Sequence, residues 1–352
     1  MKSLLFGLFV AFFYQTSFAQ ADYKLTIMHT NDIHARFEPV SESDNGYPKC
    51  GEKGLRFGGY ARLSSKVKEI RNGVKNSILV DGGDQFNGSI LFEYYKGKLI
   101  AEMMNKIGYD AMVVGNHEFH FGLKNLRDFG NAVRFPLLLA NTNLSDEPLL
   151  NDIISKTSVI DKGGQKIGLI GLTTSVHVHP KIGNNLKILD PIRIAALEIN
   201  KLKRQGINKI LLISHVGFDV NKIIAAQTDG IDVIISGHSN TILSNKSNPS
   251  DGPYPTMIKN TAIIQVADCG KFLGALNVIF NDKGELMEAS GDPIFMDQNI
   301  EEDMNIKKII DQKIIPTKEK MFVIKYNLKR VLIQIRNTSK KVLFRLRELF
   351  LP

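Results

Sequence analysis

The sequence predicts an α/β fold, and three observations support this prediction. Short apolar runs alternate with segments of helical periodicity over most of the 352 residues. Several of these runs are continuous, as expected for strands that are covered on both faces. Hydrophobic residues make up 43% and charged residues 23% of the chain, a composition typical of a globular protein with a sizeable core.

The apolar runs and the helical patterns set the predicted elements. Strands are expected at Leu25–His29, Ser77–Val80, Ala111–Val114, Leu137–Ala140, Lys166–Gly171, Lys209–Ser214, Asp232–Ser236 and Ala262–Ala267. Helices are expected at Tyr60–Arg71, Tyr95–Ile107, Pro191–Gln205 and Asp219–Gln227. Pro191 suits the first turn of its helix, and Gly206 suits the end. Beyond Met296 the alternation stops, and Ile300–Lys320 has the pattern of a charged helix or linker.

Both ends of the chain differ from its body. Lys2, the apolar run Leu4–Tyr14 and the small-x-small triplet Ser17–Ala19 have the pattern of a secretory signal peptide, so the mature chain is expected to begin at Gln20. A retained N-terminal anchor is the alternative, although the run is short for a membrane span. We predict a signal peptide over residues 1–19, a main domain over 20–298, a linker helix over 299–324 and a basic tail over 325–352.

The net charge of +9 is concentrated at the end of the chain. From Lys325 onward, eight Lys and Arg residues face the single acid Glu348, and the rest of the chain carries about +2. The body therefore lacks the basic surplus that nucleic-acid binding requires. Apolar residues recur at helical spacing within the tail. They favour either a helix that contacts a membrane surface or a partner, or a divergent end without such a role.

Secretion would permit disulfides and glycans. Cys50 and Cys269 are the two cysteines, and the sequence does not decide whether they pair. N-glycosylation triplets begin at Asn87, Asn143, Asn245 and Asn337. Such triplets are common by chance, so only some are expected to carry a glycan.

Metal-binding residue types directly follow five predicted strands. The segments are Asn31-Asp32-Ile33-His34, Asp81-Gly82-Gly83-Asp84, Gly115-Asn116-His117-Glu118, His215 and Gly237-His238-Ser239-Asn240. Sites in open α/β sheets form outside the carboxyl ends of the strands, so we expect these side chains at one rim. Asp, His and Asn donors suit a divalent ion such as zinc or manganese, and the lack of clustered Cys argues against a structural Cys-rich zinc site. Asp84 is the candidate for a carboxylate that bridges two ions.

A single piece of this pattern is weak evidence. A lone Asp-x-His pair such as Asp32 and His34 occurs by chance, and a histidine at the end of one strand is more often structural than a ligand. The ordered set of five segments is much harder to obtain by accident. We therefore predict a site that binds metal or descends from one.

These motifs resemble the calcineurin-like metallophosphoesterases and, more closely, the 5′-nucleotidase and apyrase family, which includes animal ecto-5′-nucleotidases and secreted salivary apyrases. The matching segments, in family order, are His29–Glu38, Asp81–Phe86, Gly115–Phe119, Ser214–Phe218, Gly237–Thr241 and Gly270–Gly274. The resemblance implies a sandwich of two central β-sheets flanked by helices. It also implies a secreted phosphohydrolase that acts on extracellular AMP, ADP or ATP with two divalent ions.

The resemblance also implies a role for each site residue. One ion would be held by Asp32, His34 and Asp84, and the other by Asp84, Asn116, His215 and His238. Asn240 stands where some relatives place a further ligand. His117 would stabilise the leaving oxygen or the transition-state charge, while the ions would polarise the phosphoryl group and activate a water for in-line attack. Zinc is the first expectation, with manganese, magnesium or calcium as alternatives.

The chain departs from the family pattern at three places. His120 stands where relatives usually carry an Asp that orients the catalytic His. An imidazole there does not favour imidazolium as a carboxylate would, so reduced activity is expected, with a tolerated loop residue as the alternative. Arg56 occupies the position of the usual partner of Cys50. The chain also ends soon after the linker helix, before the second domain that grips base and ribose in relatives, so turnover and specificity should suffer.

Three functional hypotheses follow from these observations. The first is an active 5′-nucleotidase-like or apyrase-like phosphohydrolase, with the choice between AMP and ADP or ATP left open. The second is a catalytically weak relative that retains the metals and binds phosphorylated ligands. The third is a truncated or alternatively spliced product, as the abrupt basic tail would suggest. A monomer is expected, because dimers of such relatives usually rest on the second domain.

Overall fold

The computed structural model describes residues 22–41, 56–145, 147–175, 186–247 and 249–317. The predicted signal peptide, Cys50, the triplet at Asn337 and the basic tail lie outside these residues.

Helices and strands alternate through the described ranges, as the sequence predicts. The helices are α1 (Tyr60–Gly73), α2 (Ile90–Tyr95), α3 (Gly97–Ile107), α4 (Leu123–Ala132), α5 (Pro191–Arg204), α6 (Phe218–Gln227) and α7 (residues 304–317), with a 3-10 turn at His117–Phe119. The strands are β1 (Tyr23–Thr30), β2 (Val40–Ser41), β3 (Arg56–Phe57), β4 (Ser77–Asp81), β5 (Ala111–Val113), β6 (Leu137–Leu138), β7 (Thr142–Asn143), β8 (Ile154–Ser155), β9 (Thr157–Lys162), β10 (Gln165–Thr173), β11 (Lys187–Ile188), β12 (Ile210–His215), β13 (Val233–Ser236), β14 (Thr256–Ile258), β15 (Thr261–Ile264), β16 (Phe272–Phe280), β17 (Leu286–Gly291) and β18 (Ile294–Phe295).

Two large sheets contain most of the strands. The first has the order β17-β16-β1-β4-β5-β6-β8, with β18 paired to β16, and β1, β4, β5, β6 and β8 run parallel. The second has the order β14-β15-β13-β12-β10-β9, with β10, β12, β13 and β15 parallel. Antiparallel strands lie at one edge of the first sheet and at both edges of the second. The carboxyl ends of the central parallel strands can therefore present their loops together.

The two sheets face each other across a shared apolar core, with helices on their outer faces. Alternate residues of β1 illustrate the layering: Ile27 is buried between the sheets, whereas Met28 packs under the helices of the first sheet. Helices α5 and α6 cover the second sheet in the same way. Burial on both faces explains the continuous apolar runs, and the predicted two-sheet sandwich flanked by helices is confirmed.

All eight predicted strands are present, with ends displaced by at most three residues. The predicted helix Tyr95–Ile107 is wrong in one respect, because Lys96 adopts a left-handed conformation (φ 54°) that separates α2 from α3. Helix α5 begins as expected: Pro191 occupies its first turn, and the Asp190 side chain accepts a hydrogen bond from the Arg193 N–H (2.7 Å).

Other elements lacked a clear sequence signal. Strand β9 is an edge strand whose residues are all partly or fully exposed, so it forms no apolar run. Helix α4 buries only Leu126 and Phe129. Strand β16 was also not predicted. Its alternating residues Leu276, Val278 and Phe280 are buried between the sheets, directly after the Gly270–Gly274 motif.

Helix α7, within the segment predicted as a linker, packs on the body of the protein. Ile306, Ile310 and Ile314 recur at four-residue spacing, are buried, and join the core that also contains α1 and α3. Just before α7, the carboxylate of Asp303 accepts hydrogen bonds from Ser64 Oγ (2.6 Å) and Lys68 Nζ (2.5 Å).

Among the described residues, no helix has the length and apolar character needed to cross a bilayer.

Candidate metal centre

The loops that follow β1, β4, β5, β12 and β13 bring potential ligands together at one rim. One cluster comprises His34, Asp84 and His117, and a second comprises Asp84, His215 and His238. Within each cluster the ligand atoms lie within 4.8 Å of one another. Asp84 belongs to both clusters, which is the position expected of a bridging carboxylate.

Asp84 is buried and contacts histidines on both sides. Its Oδ2 atom lies 3.0 Å from His215 Nε2 and 3.8 Å from His117 Nε2, and Oδ1 accepts a hydrogen bond from the His117 backbone N–H (2.8 Å). Burial alone would raise the pKa of Asp84, but the charge and hydrogen bond of His215 outweigh burial and lower it below its ordinary value. Burial likewise disfavours imidazolium at His215, yet Asp84 raises the pKa of His215 to about 10. A cation entering this cluster would therefore displace a proton from His215.

Backbone carbonyls orient two of the predicted histidine ligands. His34 Nδ1 lies 3.4 Å from Phe86 O, and His215 Nδ1 lies 2.6 Å from Gly82 O. Because a carbonyl oxygen only accepts hydrogen bonds, each of these Nδ1 atoms carries a proton. The Nε2 atom of each ring is then the nitrogen that can bind an ion.

Asn116 completes the second cluster. Its Oδ1 atom lies 3.2 Å from His215 Nε2 and 3.0 Å from His238 Nδ1. Histidine nitrogens, a carboxylate and an amide oxygen form a donor set that fits divalent zinc, manganese or a similar ion. The residues of the second cluster thus fit a divalent ion in both chemistry and proximity.

Strained backbone and close packing hold the ligands in place. Five predicted ligands adopt left-handed conformations that are unusual for residues other than glycine, namely Asp32 (φ 51°), His34 (φ 51°), Asp84 (φ 59°), His238 (φ 78°) and Asn240 (φ 53°). Such conformations cost about 1–3 kcal/mol each and cluster at functional sites. Gly115 provides space, because a Cβ at this position would lie 2.3 Å from Asp84 Oδ1.

Glu118 supports the loops that carry the predicted ligands, a role that the sequence did not reveal. Its buried carboxylate accepts hydrogen bonds from the backbone N–H groups of Asp84 (3.0 Å), Phe86 (3.0 Å) and Gly115 (2.7 Å). It therefore links the loop after β4 to the loop after β5. Burial, reinforced by the charge of Asp84, raises the pKa of Glu118 to about 7. An acid within the Gly115–Phe119 motif was the available signal, but its partners are backbone groups that no side-chain pattern reveals.

Comparison with known proteins identifies the family. Residues 25–241 match the calcineurin-like phosphoesterase family. The chain belongs to this family. It is 39% identical to the snake venom 5′-nucleotidase of Gloydius brevicauda over 309 residues (84% of this chain and 52% of that protein) and 39% identical to the 5′-nucleotidase of Rattus norvegicus over 305 residues (82% and 52%). The crystal structure of a 5′-nucleotidase precursor from Thermus thermophilus superimposes with a TM-score of 0.79 at 34% identity, over 85% of this chain and 60% of that one.

The resemblance stated from the motifs is thus confirmed at the level of the family. The chain spans about half the length of the curated relatives it matches. The match lies within the part that contains the sandwich and the rim of metal-binding residues.

Two predicted ligands of this calcineurin-like phosphoesterase lie beside the clusters. The carboxylate of Asp32 accepts hydrogen bonds from the His238 backbone N–H (3.0 and 3.2 Å) and from Asn31 Nδ2 (2.9 Å), and it is a member of neither cluster. Burial raises the pKa of Asp32 to about 6, against the charge of His215. Asn240 is exposed, two residues beyond His238, with a left-handed backbone (φ 53°). Their roles as ligands stay predictions.

The two predicted catalytic histidines contact each other. The ring centroids of His117 and His120 are 4.2 Å apart, with the planes tilted by 50°. Burial lowers the pKa of His117 to about 4, against the opposing charge of Asp84. His117 also contacts His34, with ring centroids 4.8 Å apart. The ring of His117 therefore contacts His34 of the first cluster and also His120, the residue that departs from the family pattern.

The two cysteines are not both described. Cys269 is buried and forms no disulfide within the part of the chain that the structure describes, and Cys50 lies outside that part. Burial, with the nearby charge of Asp268, raises the pKa of the Cys269 thiol to about 11. Arg56, at the position of the usual partner of Cys50, donates a hydrogen bond to Pro39 O (3.2 Å).

Proposed function

We propose that this chain is a secreted, dinuclear metal-dependent phosphohydrolase that acts on extracellular nucleotides. The observation that carries the proposal is Asp84, which belongs to both ligand clusters and lies between His117 and His215. Two divalent ions bound there would supply Lewis-acid chemistry and an activated water for phosphoryl transfer. Zinc is the ion we expect, with manganese, magnesium or calcium as alternatives, because Asp, His and Asn donors accept several of these.

The protein's own residues would orient and stabilise the phosphoryl group. His117 Nε2 lies 3.8 Å from the shared carboxylate, so this ring nitrogen faces the region between the clusters. In the proposed reaction this nitrogen would donate to an oxygen that gains negative charge as the phosphorus–oxygen bond breaks. Asn116 Oδ1 lies 3.2 Å from His215 Nε2 and 3.0 Å from His238 Nδ1, so the amide oxygen would join these two histidines as a ligand of the same ion.

The relatives support nucleotides as the substrate class. Proteins named 5′-nucleotidase match more than 80% of this chain, and some are venom components. The signal-peptide pattern at residues 1–19 independently supports secretion. Because the chain spans about half of these relatives, its preference among AMP, ADP and ATP has to be measured.

Phosphate release by the chain beginning at Gln20 tests the proposal. The substrates are AMP, ADP and ATP, each with added zinc, manganese, magnesium or calcium and with a chelator control. Release that the chelator abolishes and metal restores is expected. A folded, metal-loaded chain that releases no phosphate from any of the three would refute the proposal.

The shared carboxylate provides a sharper prediction. Asp84→Asn should lose both ions and reduce phosphate release to the level of the chelated protein, because one side chain serves both clusters. Bound metal is measured by elemental mass spectrometry, and folding by circular dichroism. Asp229→Asn, an exposed change elsewhere on the chain, is the control. Retention of two ions and full activity in Asp84→Asn would exclude a shared dinuclear centre.

A second candidate is a weakly catalytic relative that binds metals and phosphorylated ligands. The contact between His120 and His117 favours it, because an imidazole replaces the carboxylate usual at this position. Calorimetry with AMP and the metal-loaded chain separates the two candidates. Saturable binding without phosphate release would favour the binding protein, and binding with turnover would favour the enzyme.

A further inference from the structure

We propose that Asn87 is a positioning residue that holds His117 and His120 with their protons on Nε2, so that His117 acts as a hydrogen-bond donor and not as a metal ligand. The proposal deepens the proposed function and rests on it for the role of His117 in phosphate release. Its structural part concerns which nitrogen of each ring carries the proton.

The orientation of the Asn87 amide is determined by its own loop. Its Oδ1 atom accepts a hydrogen bond from the Gly88 backbone N–H (2.9 Å), so Nδ2 is the end that faces the two histidines. Nδ2 lies 3.4 Å from His117 Nδ1 and 3.3 Å from His120 Nδ1. An amide NH₂ group has two hydrogens and no acceptor site, so it can donate one hydrogen bond to each ring. Both Nδ1 atoms must then offer a lone pair, which leaves the proton of each neutral ring on Nε2.

His34 and His215 show the opposite arrangement. Their Nδ1 atoms face the carbonyl oxygens of Phe86 and Gly82, so Nδ1 carries a proton and Nε2 is the nitrogen available to an ion. In His117, Nδ1 faces a donor, and Nε2 carries the proton. Within one small site, carbonyl acceptors thus leave Nε2 of His34 and His215 available to an ion, whereas an amide donor leaves a proton on Nε2 of His117.

This distinction resolves the role of His117 in the first cluster. Its nitrogen lies close enough to His34 and Asp84 to be counted with them as a potential ligand. Binding an ion through Nε2 would require the proton to move to Nδ1, where it would point at the Nδ2 hydrogens of Asn87. With Asn87 in place, Nε2–H is the favoured form, and it lies 3.8 Å from the shared carboxylate.

The backbone of Asn87 suits this task. It adopts φ 69°, a left-handed conformation that Asn and Asp tolerate better than other residues with a side chain. Ser89, two residues later, caps α2 by accepting a hydrogen bond from the Phe92 N–H (3.2 Å). Asn87→Asp therefore keeps the shape and the backbone preference while it converts the donor into an acceptor.

Nuclear magnetic resonance tests the structural part directly. The chain from Gln20 is produced in bacteria, so that the Asn87-Gly88-Ser89 triplet carries no glycan, and its histidines are labelled with ¹⁵N. Long-range ¹H–¹⁵N correlation in the presence of a chelator should show Nδ1 of His117 and His120 as the unprotonated nitrogen. In Asn87→Asp, His117 or His120 should gain a proton on Nδ1. Asn143→Asp, the same change at an exposed asparagine, should leave both rings unchanged.

Leaving-group dependence tests the catalytic part with the metal-loaded chain. Asn87→Ala should lower kcat for phenyl phosphate, which has a poor leaving group, by about 10-fold or more, a part of the roughly 10²–10⁴-fold that a positioned proton donor contributes. It should lower kcat for p-nitrophenyl phosphate much less, with KM similar for both, because a good leaving group needs little help from His117.

The outcomes distinguish the two proposals. Protonated Nδ1 on His117 in the unchanged chain, or no change in either ring in Asn87→Asp, would overturn the tautomer assignment. Equal losses on both esters in Asn87→Ala would overturn the positioning role. A chain that releases no phosphate at all refutes the proposed function alone, and the resonance experiment then decides about Asn87 by itself.

Discussion

At the scale of single residues, the neighbours of His117 determine how it can act. Asn87 donates towards its Nδ1, and His120 packs against its ring. Neither of these two neighbours offers a negative charge, and burial outweighs the charge of Asp84 and lowers the pKa of His117 to about 4. We therefore expect His117 to work as a neutral hydrogen-bond donor, which is a weaker stabiliser of a developing oxyanion than imidazolium.

Replacement of His120 by aspartate should raise turnover. In His120→Asp, a carboxylate beside His117 would favour the protonated form of the His117 ring. The pKa of His117 is about 4, and each unit by which it rises increases the charged fraction of His117 at pH 7 about tenfold. We expect kcat to rise on the order of tenfold for a poor leaving group such as phenyl phosphate. His120→Asn, which adds no charge, is the control. An unchanged kcat in His120→Asp would show that residue 120 does not influence His117.

The glycosylation triplets also differ at this scale. The Asn87 amide faces two histidines, and Asn245 Nδ2 donates to Tyr254 O (2.5 Å), whereas Asn143 is exposed and uses its Oδ1 atom to accept from Ser145. A glycan is attached through the asparagine Nδ2 atom. Among the described triplets, Asn143 is therefore the one at which a glycan would break no hydrogen bond of Nδ2 in the structure.

At the scale of elements, periodicity located the central strands and most helices because their faces are determined by local spacing. The break at Lys96 and the edge strand β9 escaped prediction, since one depends on a single left-handed residue and the other is largely exposed. Helix α7 shows a different limit. Its helical pattern is visible in the sequence, but its packing against α1 and α3 is a tertiary contact.

Helix α7 should contribute to the stability of the sandwich. Ile310→Ala should lower the free energy of unfolding by about 2–5 kcal/mol, the range for truncating a buried isoleucine, because Ile310 is 3% exposed in the core of the first sheet. Ile315→Ala, on the same helix and 59% exposed, is the matched control and should have little effect. Urea denaturation measures both. Equal, small effects would mean that α7 is a loosely attached linker.

At the scale of the whole molecule, buried carboxyls make stability depend on pH. Asp232, before β13, accepts a hydrogen bond from the Ile210 N–H (2.7 Å). Burial raises its pKa from 3.8 to about 7, although this hydrogen bond and the charges of Lys209 and Lys203 favour the carboxylate. A folded-state pKa above the unfolded value means that the folded state binds the proton more tightly. The resulting stability is complete below about pH 4 and is lost as the pH rises through about 7.

Substitution of Asp232 should therefore be more favourable at high pH. The difference in Tm between Asp232→Asn and the unchanged chain should be more positive at pH 8 than at pH 5, corresponding to a free-energy change on the order of a few kcal/mol. Differential scanning calorimetry with a chelator present measures it without a contribution from bound metal. Asp229→Asn, three residues earlier and exposed, should shift Tm equally at both pH values. A difference independent of pH in Asp232→Asn would contradict this account.

Local spacing and residue types were sufficient to predict an α/β fold and the strand ends that carry Asp, His and Asn side chains, whereas the two-sheet sandwich and the ligand set came from the resemblance of these motifs to a known family. The tertiary structure was needed for the remaining features: the entry of His117 into a ligand cluster, the backbone partners of Glu118, the carbonyls that orient His34 and His215, and the contact of Asn87 with two rings. Periodicity is a property of neighbours along the chain, whereas these contacts join loops from different strands and depend on which hydrogen-bonding atom each loop turns toward the site.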